Sequence, residues 1–203
     1  MASDLRTGST AIHWFRKGLR THDNPALIEA CRSSQTLYPI FCIDPHFAKP
    51  DIVGVNRYKF LLDSLKDLDR NLRSVGSRLF VIRGRPEEQI PILVKKWNVN
   101  LLTFESDSEP YAKKRDSNII DILRKQNVKI SHHSSHTIHD LERYIATSKG
   151  TIPTTYASFQ KLFGNRYSLI LKFSIYSICR YTKRCPRSSR FIYNTTNFII
   201  RFN

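Results

Sequence analysis

Glycine is scarce in this chain: seven residues in 203, none of them clustered. Neither GxGxxG nor a P-loop pattern occurs, so the glycine-rich backbone cradle of dinucleotide and nucleoside triphosphate enzymes is missing. The four cysteines (Cys31, Cys42, Cys179, Cys185) lack CxxC spacing, which points to a reduced, metal-free protein. No apolar run approaches the ~20 residues that span a bilayer. The amino terminus, MASDLRTGST, is polar and carries Asp4, unlike a secretory signal. An intracellular location, nucleus or cytoplasm, with no membrane contact, is therefore expected. No HExxH and no nucleophile elbow occur, and no catalytic residue is nominated. Acidic residues are missing from the last fifth: residues 165–203 hold eight Lys and Arg and no Asp or Glu, half of the net charge of +16. The body is only moderately basic, with mixed signs along its helices. Charge therefore argues for non-specific attraction to polyanions rather than for a DNA-reading surface.

What is present centres on Ala11–Leu27, AIHWFRKGLRTHDNPAL. A short apolar run breaks at Gly18 and ends in Asp23-Asn24-Pro25, a polar cap followed by a proline whose φ suits a first helical turn. Strand, charged loop and helix in that order open a βαβ unit. Thr36–Ile43 is apolar enough for a strand buried on both faces, although Pro39 argues for an edge position or an irregular start. Tyr58, Leu61, Leu65, Leu68 and Leu72 recur at helical spacing, and Gly76 closes that helix. Arg78–Ile82 reads as a third strand. Pro86-Glu87-Glu88 opens a helix with Ile90, Leu93, Val94 and Trp97 on its buried face, which Pro91 should kink or delay. Val99–Phe104, a helix over about Tyr111–Gln126 and a short strand over Val128–Ser131 follow. The alternation predicts an α/β fold: a doubly wound, Rossmann-like, five-stranded parallel sheet with helices on both faces. Beyond it, Leu141–Ala146 reads as one short helix.

Three stretches also carry a resemblance: WFRKGLRTHDNPAL, VGVNRYKFLLDSLKDLDRNLRSVGSRLFVIRG (Val53–Gly84) and LLTFESDSEPYAKKRD (Leu101–Asp116). Together, over about Ala11–Leu162, the chain resembles the amino-terminal α/β domain of the photolyase/cryptochrome family, in particular the (6-4) photolyases and animal cryptochromes. The resemblance implies blue-light flavoproteins that repair ultraviolet photoproducts in DNA or serve light sensing and the circadian clock. Their FAD lies in a helical domain for which this chain shows no counterpart. The expected division is a flexible residue 1–9 arm, an α/β unit over 10–135, the start of a connector over 136–164, and an unrelated, poorly ordered basic tail over 165–203. That tail resembles translated non-coding sequence, as if the reading frame had run past an exon end near Gly164–Arg166. The implied partners are damaged DNA or clock proteins. Photorepair is not expected of this chain alone, and two other classes stay open. One is an interaction module that competes with a full-length relative; the other is a small-ligand protein on the same fold, against which the missing glycine loop speaks.

In an open α/β sheet, ligands bind beyond the carboxyl ends of the strands. The polar residues there are Arg16, Asp44, Glu105, Asp107, Glu109 and Arg115. By resemblance they would line a cleft for the family's light-harvesting antenna, methenyltetrahydrofolate or a deazaflavin, whose ring N–H groups suit carboxylate acceptors. The alternative is that Arg16 and Arg115 pair with these acids and hold the loops together. His132, His133, His136 and His139 could supply metal ligands, but no cysteine is near and a solvent-exposed strand end is the expectation; no metal is assigned. Trp14 and Trp97 read as core, and Lys113-Lys114-Arg115 as a solvated helix face.

Overall fold

A computed structural model describes residues 8–48, 53–135, 137, 145–146 and 152–164. The 165–203 tail, the first seven residues and most of the Leu141–Ala146 segment lie outside the described residues. Strands and helices alternate as β1 (Thr10–Phe15), α1 (Pro25–Ser33), β2 (Thr36–Ile43), α2 (Val55–Ser74), β3 (Phe80–Arg83), α3 (Pro86–Lys96), β4 (Leu101–Glu105), α4 (Pro110–Arg124) and β5 (Lys129–His133). A last helix, α5 (Tyr156–Gly164), follows. All neighbouring strands pair in parallel, in the order β3-β2-β1-β4-β5. The chain winds outward from β1 to β3, then returns past β1 to β4. The gap between β1 and β4 is therefore the switch point where two loops diverge and leave a crevice.

Strand alternation assigns the two cores. Ile12, Trp14, Ile40, Cys42, Leu102 and Phe104 pack under α3 and α4 with Ile90, Val94, Ile119 and Leu123. Phe15, Ile43 and Val81 pack on the other face with Leu27 of α1 and with Leu65, Leu68 and Leu72 of α2. Each such fully buried leucine contributes about 1.5–3 kcal/mol. On α2 the stripe read from the sequence is buried only in its second half; Tyr58 and Leu61 are half-buried. Phe60, off the stripe, is 74% exposed.

The helix ends follow from local chemistry. Asn24 caps α1, its Oδ1 accepting from Leu27 N at 3.0 Å, and Asp23 before it sits at φ +49°. Helices α2, α3 and α4 close with one motif, in which Gly76, Asn98 and Asn127 take positive φ. In each, the next residue's N–H reaches back to the last turn: Ser77 to Leu72, Val99 to Val94, Val128 to Leu123. Glycine and asparagine are the residues that tolerate this conformation.

Three local expectations need correction. Strand β2 is interior despite Pro39. Its pairing with β3 begins only at Ile40, while Pro39 faces His13 of β1, so the proline stands where the strand is locally an edge. Helix α3 runs through Pro91 from Pro86 without a delayed start; near an amino terminus the missing N–H costs one carbonyl its partner. Arg115, read as part of a solvated face, is 6% exposed, while Lys113 and Lys114 are exposed.

Candidate functional site at the switch point

Beyond the carboxyl ends of β1, β2 and β4, on the α3/α4 side, lies a buried ionic cluster. Its floor is Trp14, with the Arg16 and Arg115 guanidinium carbons 4.9 and 4.8 Å from its ring centroid. Both arginine side chains are 7% exposed. Asp116 bridges them: Oδ2 accepts from Arg16 Nη1 at 2.7 Å, and Oδ1 accepts from Arg115 Nε and Nη2 at 3.2 and 3.1 Å. Arg16 Nη1 also donates to the Glu105 carbonyl at 2.9 Å, which ties the loop after β1 to the end of β4. Burial and the neighbouring Arg115 charge pull the Arg16 pKa down, and Asp116 opposes them. Two like charges in so dry a place require the shared carboxylate.

Asp44 closes the β2 side. Its Oδ1 accepts from His46 N at 2.9 Å, its Oδ2 accepts from the Tyr111 hydroxyl at 2.8 Å, and Arg115 Nη1 stands 4.0 Å away. Partial burial and the Asp44 carboxylate push the Tyr111 hydroxyl up to about 12. The His46 ring stacks on Tyr111 at 3.8 Å, with Phe47 edge-on to both and 43% exposed at the rim. On the β4 side, Lys17 Nζ donates to Asp107 and to Glu109 at 3.2 and 2.6 Å. Hydrogen bonds outweigh burial at Asp107, whose pKa falls: the Glu109 amide and Lys17 both favour its charged form.

The six residues read from the sequence do not form one constellation. Arg16, Asp44, Asp107 and Arg115 meet on the α3/α4 side, and Glu109 stands half-exposed at the rim with Lys17. Glu105 projects to the opposite face, where its Oε1 accepts from Arg20 and from the Ser135 hydroxyl. Gly18 lies so close that a Cβ there would fall 2.1 Å from Glu105 Oε2. Sequence reading missed Asp116 and Tyr111. The signal for Asp116 was present: Ala112, Arg115, Asp116, Ile119 and Leu123 are the buried residues of α4 and follow one helical stripe.

The carboxylates of Asp44, Asp107, Glu109 and Asp116 are thus engaged by the protein's own cations and hydroxyls. One open group in the cluster is a donor: Arg16 Nη2 is buried, has no hydrogen-bond partner and lies 3.8 Å from Asp107 Oδ2, while near Tyr111 and Cys42 the Glu87 Oε2 acceptor is also buried without a partner. An acceptor oxygen placed beside Arg16 Nη2 would complete it. Of the histidines, His132 stacks on Phe104 and meets the Ser106 hydroxyl at 2.8 Å, and His133 pairs with Glu29. His136 and His139 lie outside the described residues. Among the described residues no group of three or more His, Cys, Asp or Glu side chains is arranged to hold a metal ion. Nor is any helix among them long and apolar enough to cross a membrane.

The fold and this crevice define a doubly wound α/β domain with a charged cleft at its switch point. The sequence pattern of the DNA photolyase family matches residues 11–172, and the chain belongs to that family. It is 48% identical over 155 residues to Cryptochrome-1 of Macaca fascicularis, an alignment that covers 76% of this chain and 26% of that protein. The chain thus spans about a quarter of the length of the curated relatives it matches. A Synechocystis cryptochrome has the same fold, with a TM-score of 0.71 at 24% identity over 78% of this chain and 34% of its own. So does a photolyase from Sulfolobus tokodaii, with a TM-score of 0.62 at 24% identity over 76% of this chain and 34% of its own. That protein was solved with two FAD molecules and taken to imply a novel light-harvesting cofactor.

Proposed function

We propose that this chain is the α/β domain of a flavin-dependent (6-4) photolyase or animal cryptochrome, that its switch-point cleft is the antenna side of that machine, and that photorepair does not reside in it alone. The observation that carries the cleft reading is Arg16 Nη2, a buried donor without a partner beside the Trp14 ring. A pterin or deazaflavin fits this donor through a ring carbonyl or ionised oxygen, with Tyr111, His46 and Phe47 offering aromatic contact at the mouth. Such a pigment, when bound, absorbs light and passes the excitation to a flavin. Arg16 and Arg115 would orient the acceptor edge of such a ligand, and Asp116 fixes both arginines in place. The two-FAD archaeal photolyase supports this reading, since its fold is shared and it was taken to imply a light-harvesting cofactor. By family resemblance the full-length partners are damaged DNA or clock proteins, and the compartment is the nucleus or cytoplasm.

Titration of the purified chain with methenyltetrahydrofolate, and separately with a deazaflavin, tests the cleft. The expected result is saturable quenching of Trp14 emission by one of them, read in a Trp97→Phe background, and weaker binding in Arg16→Lys. No quenching by either pigment would reject the antenna role and leave the cluster as a loop clamp.

The internal saturation of the carboxylates favours a second reading. A clamp of this kind makes a rigid module that competes with a full-length relative for its partners. Pull-down of a clock or repair partner by this chain, displaced by the full-length relative, is the outcome that reading requires.

A further inference from the structure

Strand β1 carries a histidine in its most apolar stretch. His13, Thr103 and Ser131 stand in register across β1, β4 and β5, and a polar ribbon continues from them to Asn24 and Glu29 of α1. His13, Asn24 and Thr103 are each fully buried. At one end Asn24 is committed, because its Oδ1 accepts from Leu27 N and caps α1. Its Nδ2 is therefore the atom 3.4 Å from His13 Nε2, which must accept, so the ring proton sits on Nδ1 and is donated to Thr103 Oγ1 at 2.9 Å. At the other end Ser131 and His133 both donate to Glu29 Oε2.

We infer that His13 is an acid-sensitive pin: only its neutral Nδ1–H form fits, and a second proton forces Asn24 off the α1 cap and frees the loop that brings Arg16, Lys17 and Arg20 to the switch point. A proton on Nε2 confronts the Asn24 amide donor-to-donor. Asn24 can relieve this only by turning its oxygen to the ring, which uncaps Leu27. Asp23, held at φ +49°, then loses its reason to stay in the left-handed region. Arg20 Nε donates to the Asp23 carbonyl, and Arg20 Nη2 reaches Glu105, so the disturbance passes along the loop. The other titratable groups on this face include His133 and Lys129 of β5 with Glu29 and Cys31 of α1, Glu105 of β4 with Arg20, and the Asp69–Arg73 pair of α2. The inward residues of β2 on this side, Leu37, Pro39, Phe41 and Ile43, carry no charge. Burial first, and His133 second, lower the His13 pKa to about 3. The unfolded chain takes up a proton near 6.5 that the folded state refuses. Well inside the window between those two values the unfolding constant rises about tenfold for each unit the pH falls, on account of this one residue.

The test is nitrogen-resolved NMR of the imidazoles in the full chain, with amide exchange followed at the same pH values. The expected result is an Nδ1–H tautomer for His13 that does not titrate between pH 7 and 5. Leu27 and the 16–23 amides should lose protection earlier than the β1 and β4 amides as pH falls. His13→Gln should remove about sixteenfold from the rise in unfolding constant between pH 6.5 and 5; should that variant not fold, the wild-type spectra decide. A His13 that titrates near 6.5, an Nε2–H tautomer, or a Leu27 amide that opens only with the strands would overturn the inference.

Discussion

Asp116 is the residue on which the cleft turns. It is one carboxylate between two arginines that are nine-tenths buried, so its removal leaves two cations facing each other over Trp14. Breaking a buried pair from one side costs about 3–5 kcal/mol. Asp116→Ala is expected to lose stability of that order in urea unfolding, and Asp116→Asn less, because the amide oxygen still accepts. A loss below about 1 kcal/mol for the alanine variant would show that water already screens the cluster. Gly18 offers a second check at this scale. The Glu105 oxygen that a Cβ would strike belongs to a buried carboxylate held by Arg20 and Ser135, so it cannot swing aside without losing them. Gly18→Ala is expected to destabilise by about 1–3 kcal/mol, and a neutral result would mean that this loop yields. These two residues also show where sequence reading stopped. Arg16 and Asp44 were legible because they lie at strand ends. Asp116 was hidden by the run of basic residues before it, although its place on the α4 stripe was readable.

Among the elements, α2 separates what periodicity shows from what it does not. Its leucine stripe identified the helix, but burial depends on where the sheet ends, and only Leu65, Leu68 and Leu72 reach the core. Leu68→Ala is expected to cost about 2–5 kcal/mol by leaving a cavity. Phe60→Ala, at an exposed position, should stay within about 0.5 kcal/mol. Equal losses at the two positions in thermal or urea unfolding would mean that the first half of α2 is covered in solution. The prolines make the same point from the other side. Pro39 read as an edge position or an irregular start and Pro91 as a kink or delayed start, because each lacks an N–H; β2 pairs with β3 only after Pro39, and α3 runs through Pro91. Helix ends transferred well where they were read: Asn24 and Gly76 each mark a boundary, and Asn98 and Asn127, not singled out from the sequence, close α3 and α4 by the same positive-φ motif as Gly76.

At the scale of the whole molecule, the alternation of strand and helix made the parallel sheet and its two covered faces legible. The switch point itself came only with the strand order β3-β2-β1-β4-β5. Sequence could not show that Glu105 points away from the other acids, since that depends on the pleat of β4 and the register with β1. The family membership, with alignment to only a quarter of Cryptochrome-1, makes this chain the sheet portion of a larger light-driven protein in our reading. The account therefore rests on where the flavin chemistry is. The most direct measurement is the absorption spectrum of the purified full chain, taken with its activity on (6-4)-damaged DNA under blue light. The account predicts no flavin band and no repair, with or without added FAD. Stoichiometric flavin, or light-dependent repair above the dark control, would contradict it.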